Sequence, residues 1–500
     1  MSLAALAGQP EPAVLDPFPP AVAIPKHNLG WKMFRNTAAQ VAGRNLIMLG
    51  RLVVAGVIVR GCGRGVFGEY SLLFAILNIA EWVLDFGTTD VFVRDVCREP
   101  ERGPRLLRIL TAAKLVQIPA AFAILAAILF ALRYPPAIVK AGLVGGLGLA
   151  FFAGVLLFRV IFKASLTMEH EIAGELVSVL VMIPLILLVA RSGGGLVALL
   201  ACHVVSRAVF FTVCLLLGGS RYRPSVRHIA LHDVTWSLRS SAAIGTIGLL
   251  AVVYETLDLL LLSKLASLSD LAYYSAAQKF VLPMLVALAS IGTTLYPVAA
   301  SYWPQARRQF EEACQRGLDT VFLVAGVGIC SMLAGPEFFM GLLGPTLVAG
   351  APVLRVLALL CFIKCISSAI GPVLYVVHAQ AQALQFIVVA VLVKAATIAV
   401  LAPRFGCVGV AFGALAVEIG CSGIPLIYLM RRRAGYRVQW TVPAKAVLIT
   451  LVTAAACRLL LSGHGLMAAV LAPALYIPLL FLTGTVRLSD LRWLLKWNTA

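Results

Sequence analysis

The chain has 500 residues, of which 61% are hydrophobic and only 13% charged, and its mean hydropathy is +0.96. A soluble domain of this size needs far more polar surface, so the composition excludes one and describes a polytopic membrane protein. The net charge of +19 sits mainly in short loops, the pattern left by topology selection, and does not point to nucleic-acid binding.

The first 25 residues are rich in Pro and Ala and lack a basic stretch followed by an apolar run. Residues 1–30 therefore read as a disordered cytoplasmic tail and not as a cleaved signal peptide. Apolar runs of about 20 residues, the length that crosses a hydrocarbon core, fall near 38–60, 69–93, 106–132, 138–161, 172–191 and 195–218. Arg221, Arg223, Arg227 and Arg239 follow, in a basic linker expected over 221–239. The next runs fall near 241–263, 271–300, 318–342, 350–376, 383–402 and 408–430, and two more come near 444–461 and 465–484. The predicted fold is all-α with about fourteen transmembrane helices. It divides into an N-lobe over 31–220, a C-lobe over 240–435, and residues 436–500 with the last helix pair and a cytoplasmic tail. Lys and Arg crowd the loops on the N-terminal side, which places both termini in the cytoplasm.

The chain also repeats itself. Span two begins Phe67-Gly68-Glu69-Tyr70-Ser71 and reaches Gly87-Thr88-Thr89, while span eight begins Leu271-Ala272-Tyr273-Tyr274-Ser275 and reaches Gly292-Thr293-Thr294. A shift by an even number of spans preserves orientation, so the lobes are expected as parallel repeats about an axis along the membrane normal.

Ionisable residues inside apolar runs are Arg44, Arg51, Glu81, Asp85, Lys114, Arg207, Glu255, Asp258, Lys279, Lys364, Lys394 and Glu418. Charge at the bilayer centre costs about 2.5–3.5 kcal/mol on insertion scales, so such residues face a cavity or one another. Arg44 and Arg51 lie nearly two helical turns apart, on one face of span one. Glu81 and Asp85, one turn apart, are candidate partners for either arginine. Glu255 and Asp258 share a face of span seven, where they could pair with Lys279. The cationic surplus favours a cavity tuned for an anion, with phosphate as the natural guest of guanidinium and ammonium groups. Arg44, Arg51, Lys279 and Lys364 are the expected anion-binding residues, and Asp258 or Glu255 the candidates for H+ or Na+ coupling. Lys114, Arg207 and Lys394 sit toward segment ends, where snorkelling offers another explanation.

Other matches carry less. Asp85-Phe86-Gly87 spells a kinase magnesium triplet, but it lies in a membrane span without the accompanying loops. Gly61-Cys62-Gly63-Arg64-Gly65 reads as a tight turn between spans. Pro283 and Pro297 bracket span eight, and Pro372 interrupts span ten, as sites of bending. No metal or cofactor motif and no catalytic constellation stands out, so no cofactor is expected. Eleven scattered cysteines read as small core residues.

Phe67-Gly68-Glu69-Tyr70-Ser71-Leu72, the run to Asp85-Phe86-Gly87, and then Val93-Arg94-Asp95 resemble the N-terminal signature of Wzx-type polysaccharide flippases. These belong to the MOP superfamily, which also holds the MATE exporters and the lipid II flippase MurJ. Tyr273-Tyr274-Ser275-Ala276-Ala277-Gln278-Lys279, followed by Leu295-Tyr296-Pro297, is similar to the family's span-eight pattern. The resemblance implies two six-helix lobes around a cavity of alternating access, lined by cations of spans one and eight (by position Arg44, Arg51 and Lys279). It implies a transporter, not an enzyme, that moves undecaprenyl-diphosphate-linked oligosaccharide across the bacterial inner membrane for exopolysaccharide, O-antigen or capsule assembly. Spans thirteen and fourteen are similar to the pair that forms a lipid-tail groove in MurJ. Pathway polymerases and glycosyltransferases are the expected protein partners, and nucleic acid is not. The rivals are a cation-coupled drug antiporter, a membrane-embedded polymerase or transferase, and a scaffold of an export complex.

Overall fold

The computed structural model describes residues 26–218 and 230–486, and these are helical with no strand. The N-terminal half contains α1 (Lys26–Cys62), α2 (Arg64–Asp85), α3 (Thr88–Arg98), α4 (Gly103–Ala131), α5 (Pro136–Gly146), α6 (Gly148–Ala164), α7 (Glu169–Arg191) and α8 (Leu196–Gly218). There follow α9 (Leu231–Leu265), α10 (Leu268–Tyr302), α11 (Arg307–Ala334), α12 (Pro336–Leu343), α13 (Ala351–Ile370), α14 (Val373–Val376), α15 (Gln380–Val417) and α16 (Ile424–Ala434). The last two are α17 (Thr441–Leu460) and α18 (Gly465–Leu482), which pack on α11.

Among the described residues thirteen stretches are long and apolar enough to cross a membrane, and one of them runs 53 residues from Gln382 to Ala434. That is about 80 Å of helix at 1.5 Å per residue, far beyond one hydrocarbon core of about 30 Å. It breaks at Gly406, whose φ of 57° lies in the left-handed region, so it supplies two crossings and brings the total to fourteen. Asp270, at the start of α10, accepts the Cys407 amide at 3.1 Å and ties this break down.

Four boundaries differ from the sequence expectation, one of them at α11, which runs Arg307–Ala334 where a span near 318–342 was expected. The first helix starts at Lys26, inside the stretch expected to be a tail. The expected linker shortens because α9 starts at Leu231 and carries Arg239; Arg221, Arg223 and Arg227 lie outside the described residues, as do the tails at 1–25 and 487–500. Span two is a broken helix: α2 ends at Asp85, Phe86 and Gly87 take left-handed φ values of 42° and 72°, and α3 begins at Thr88.

The Asp85-Phe86-Gly87 triplet therefore does structural work. Asp85 Oδ1 accepts from the Thr89 amide at 3.2 Å and its hydroxyl at 2.5 Å, capping the first turn of α3. Lys114 of α4 donates to the Leu84 carbonyl at 2.7 Å and to the Thr88 hydroxyl at 2.8 Å. An ammonium there satisfies carbonyls that the end of α2 leaves open and complements its dipole.

The lobes meet along α2, α9 and α10. The two repeat helices touch near their starts, where a Cβ on Gly68 would stand 3.1 Å from the Leu268 carbonyl oxygen. Arg64 donates to the Tyr273 hydroxyl at 2.8 Å across this seam, and Arg60 to the Leu342 carbonyl at 2.8 Å. Gly292, the repeat counterpart of Gly87, stays within α10, and there an added Cβ would collide with the Ser368 carbonyl. One glycine permits a break and the other a close helix crossing.

Candidate functional site: a cationic cavity and a compensated charge cluster

Arg44 and Arg51 project from α1 into one cavity of about 260 Å³, also lined by Arg159, Lys163, Glu171 and Glu175. Glu171 and Glu175 come one turn apart on α7 and hold Arg159 at 2.7 Å and Arg51 at 2.6 Å. Lys163 reaches outside the lining to Asp90 of α3 at 3.0 Å. Arg44 has no ion pair among the described residues. Four cations against two carboxylates leave the wall positive. The Arg51 side chain is also 54% exposed, at the cavity it lines. An exposed ion pair is worth about 0–1 kcal/mol, so an incoming anion can displace Glu175 at little cost.

Lys279 stands across the seam on α10, and Arg51 is the charged side chain acting on it. Among the described residues Lys279 has neither an ion pair nor a hydrogen bond. Arg51 also acts electrostatically on Tyr70 of α2 and His203 of α8.

The expected partners of these cations lie elsewhere. Glu81 pairs with Arg207 of α8, and Asp85 with Lys114 at 3.6 Å, so neither serves Arg44 or Arg51. The carboxylates that line this cavity, Glu171 and Glu175, were missed by the sequence reading, as was Arg159. Their signal was present as two acids one turn apart at the start of span five, of which Glu175 meets Arg51 of span one and Glu171 meets Arg159.

Lys364 does not join Arg44, Arg51 and Lys279. It binds Glu255 at 2.6 Å and lies 3.9 Å from Glu418. Asp258 receives Lys394 at 3.0 Å and the Tyr274 hydroxyl at 2.7 Å. Glu255 and Asp258 are thus partnered by Lys364 and Lys394 instead of Lys279. Lys394 also donates to the Tyr254 carbonyl at 2.8 Å and sits 4.1 Å from its ring centroid. Glu418 opens a π-helical turn, Glu418–Gly423, and accepts from Tyr254 at 2.8 Å and Ser367 at 3.2 Å. Neither Lys114 nor Lys394 snorkels, because they are 1% and 3% exposed.

The fold resembles several solved transporters. The lipid II flippase MurJ in an inward closed conformation aligns with a TM-score of 0.71 at 11% identity, covering 90% of this chain and 99% of that one. An inward-facing MATE multidrug transporter aligns at 0.62 and 13% identity, covering 78% and 95%. A superfamily transporter from Pyrococcus furiosus, described by the reversed polarity of its binding pocket, aligns at 0.57 and 14%, covering 81% and 96%. Comparison with curated protein sequences finds no match. The polysaccharide biosynthesis protein family matches residues 33–303, more than half of the chain. The chain therefore belongs to the polysaccharide biosynthesis protein family, and it is a multi-pass membrane protein with a fold like that of the MurJ and MATE transporters.

Proposed function

We propose that this protein is a flippase for undecaprenyl-diphosphate-linked oligosaccharide, carrying it across the bacterial inner membrane by alternating access of the two lobes. The pathway is the assembly of exopolysaccharide, O-antigen or capsule. The observation that carries this reading is the pairing of a cation-rich, water-accessible N-lobe cavity with the unpartnered Lys279 across the seam. A diphosphate stripped of water in hydrocarbon would bear a penalty of several kcal/mol per charge. Arg51 and Lys279 offset it as a guanidinium fork and a point charge, with Arg44 as a further contact nearer the end of the cavity. The prenyl tail meanwhile stays in lipid.

Coupling to H+ or Na+ belongs in this reading to the C-lobe. There an ion would compete with Lys364 and Lys394 for Glu255 and Asp258. The MATE-like antiporter alternative needs acidic groups free to meet a cationic drug, whereas here both of these carboxylates are held by lysine.

The test is complementation of polysaccharide export in a flippase-deletion strain, with membrane levels of the protein held equal. Arg51→Ala and Lys279→Ala are expected to lose most export, and Arg51→Lys to retain part of it. Full export with both alanine variants would remove the diphosphate site. Purified protein should bind undecaprenyl diphosphate, and the same two variants should weaken that binding at least tenfold.

A further inference from the structure

At the opposite end of the N-lobe lies a second, larger cavity. The span Pro136–Ala164 contributes Arg159 and Lys163 to the Arg44–Arg51 cavity near its end. Near its start it lines a groove of about 570 Å³ between α4 and α5. The groove floor is apolar, from Phe122, Val139, Leu143 and Val144. Its edge is formed by Phe130 and Leu147, which are 62% and 57% exposed, as side chains that face lipid are.

Two cations, Arg133 and Lys140, complete the lining, and no carboxylate does. Neither has an ion pair or hydrogen bond among the described residues. The sequence offers no local partner, since no Asp or Glu occurs between Glu101 and Glu169. A third cation stands beside the groove: Lys264 of α9 lies 3.5 Å from the ring centroid of Tyr134, another lining residue. The Tyr134 hydroxyl meets Ser263 at 2.7 Å, so the groove ends on the contact between the lobes.

We infer that this groove binds an anionic phospholipid, its acyl chain along the α4–α5 cleft and its phosphate between Arg133 and Lys140. An apolar trough of several hundred Å³ with a few convergent polar groups is the usual form of a small-molecule site. Uncompensated basic groups at membrane-headgroup depth select anionic over zwitterionic lipid. The seam contact through Tyr134 and Lys264 places the headgroup where it fastens the lobes together at this end. This site is separate from the proposed diphosphate site and does not depend on that reading.

The experiment reconstitutes full-length protein in nanodiscs of phosphatidylethanolamine with increasing phosphatidylglycerol, and counts retained lipid by native mass spectrometry. Wild type is expected to retain one phosphatidylglycerol in preference to phosphatidylethanolamine. The double variant Arg133→Gln, Lys140→Gln should lower that retention about 30-fold. Leu143→Trp, which fills the trough, should lower it with both cations present. Both cations are exposed and unpaired, so the double variant should keep the wild-type melting temperature and report binding alone. Equal retention of the two lipids by wild type, undiminished phosphatidylglycerol in the double variant, or no effect of Leu143→Trp would each overturn the assignment.

Discussion

Two intramembrane ion pairs, one in each lobe, are built in opposite ways. In the C-lobe, Lys394 and Asp258 meet at 3.0 Å with side chains only 3% and 6% exposed. Lys394 also donates to the Tyr254 carbonyl, and Asp258 accepts from the Tyr274 hydroxyl. In the N-lobe, Arg51 and Glu175 meet at 2.6 Å, yet the arginine is 54% exposed, and Arg44 beside it has no acid among the described residues. A dry, satisfied pair is rigid and expensive to open, while a wet pair in a positive cavity exchanges partners at little cost. The Lys394–Asp258 pair accordingly holds helices together, as the Lys114–Asp85 contact does in the N-lobe, whereas the Arg51–Glu175 pair is free to meet a ligand.

This contrast can be broken at several points, in order of the expected effect on stability. Lys394→Ala leaves Asp258 charged and buried, and should cost about 3–5 kcal/mol, read as a lower melting temperature and a smaller yield of monodisperse protein. The combined Lys394→Met, Asp258→Leu variant should recover most of that loss. If Lys394→Ala melts like wild type, the C-lobe cluster is wet and the contrast disappears. Lys114→Met uncovers the carbonyl end of α2 and should cost about 1–3 kcal/mol for the buried acceptors left unmade. Gly87→Ala forces a side chain into a φ of 72° with the Gly245 amide nitrogen 2.8 Å from its Cβ, at about 1–3 kcal/mol. Arg51→Ala comes last, at under about 1 kcal/mol on melting, although export should be nearly lost. A large stability loss in Arg51→Ala would make that arginine structural and erase the distinction between the lobes.

Much of the fold was legible from the chain because a bilayer demands it. Each crossing needs about 20 apolar residues with internally satisfied hydrogen bonds, and each of the fourteen expected runs falls on an observed helix, although α1, α9 and α11 begin ten to twelve residues before the expected runs. The break at Gly406 fell in the expected gap between spans eleven and twelve. Asp85-Phe86-Gly87 was the harder passage, because its apolar surroundings hid a helix break that depends on a lysine from the next helix.

The candidate site was legible as an inventory of costly residues, but not as a set of partners. Arg44, Arg51 and Lys279 stood out because charge in an apolar run is rare, and helical periodicity put the arginines on one face. Glu81 was matched with span one, but Arg207 of α8 takes it. Lys364 was grouped with the anion site, but Glu255 and Glu418 hold it.

The sequence by itself determined the number of crossings, the doubling into lobes and the identity of the charges, since each follows from hydrocarbon thickness and desolvation cost acting on local stretches. Only the tertiary structure decided which charges neutralise one another. Ion pairing depends on which helix faces are adjacent and on a few ångströms of separation, and neither is encoded in any one span. That decision left the N-lobe cavity with its surplus of cations and closed Lys394 and Asp258 on each other.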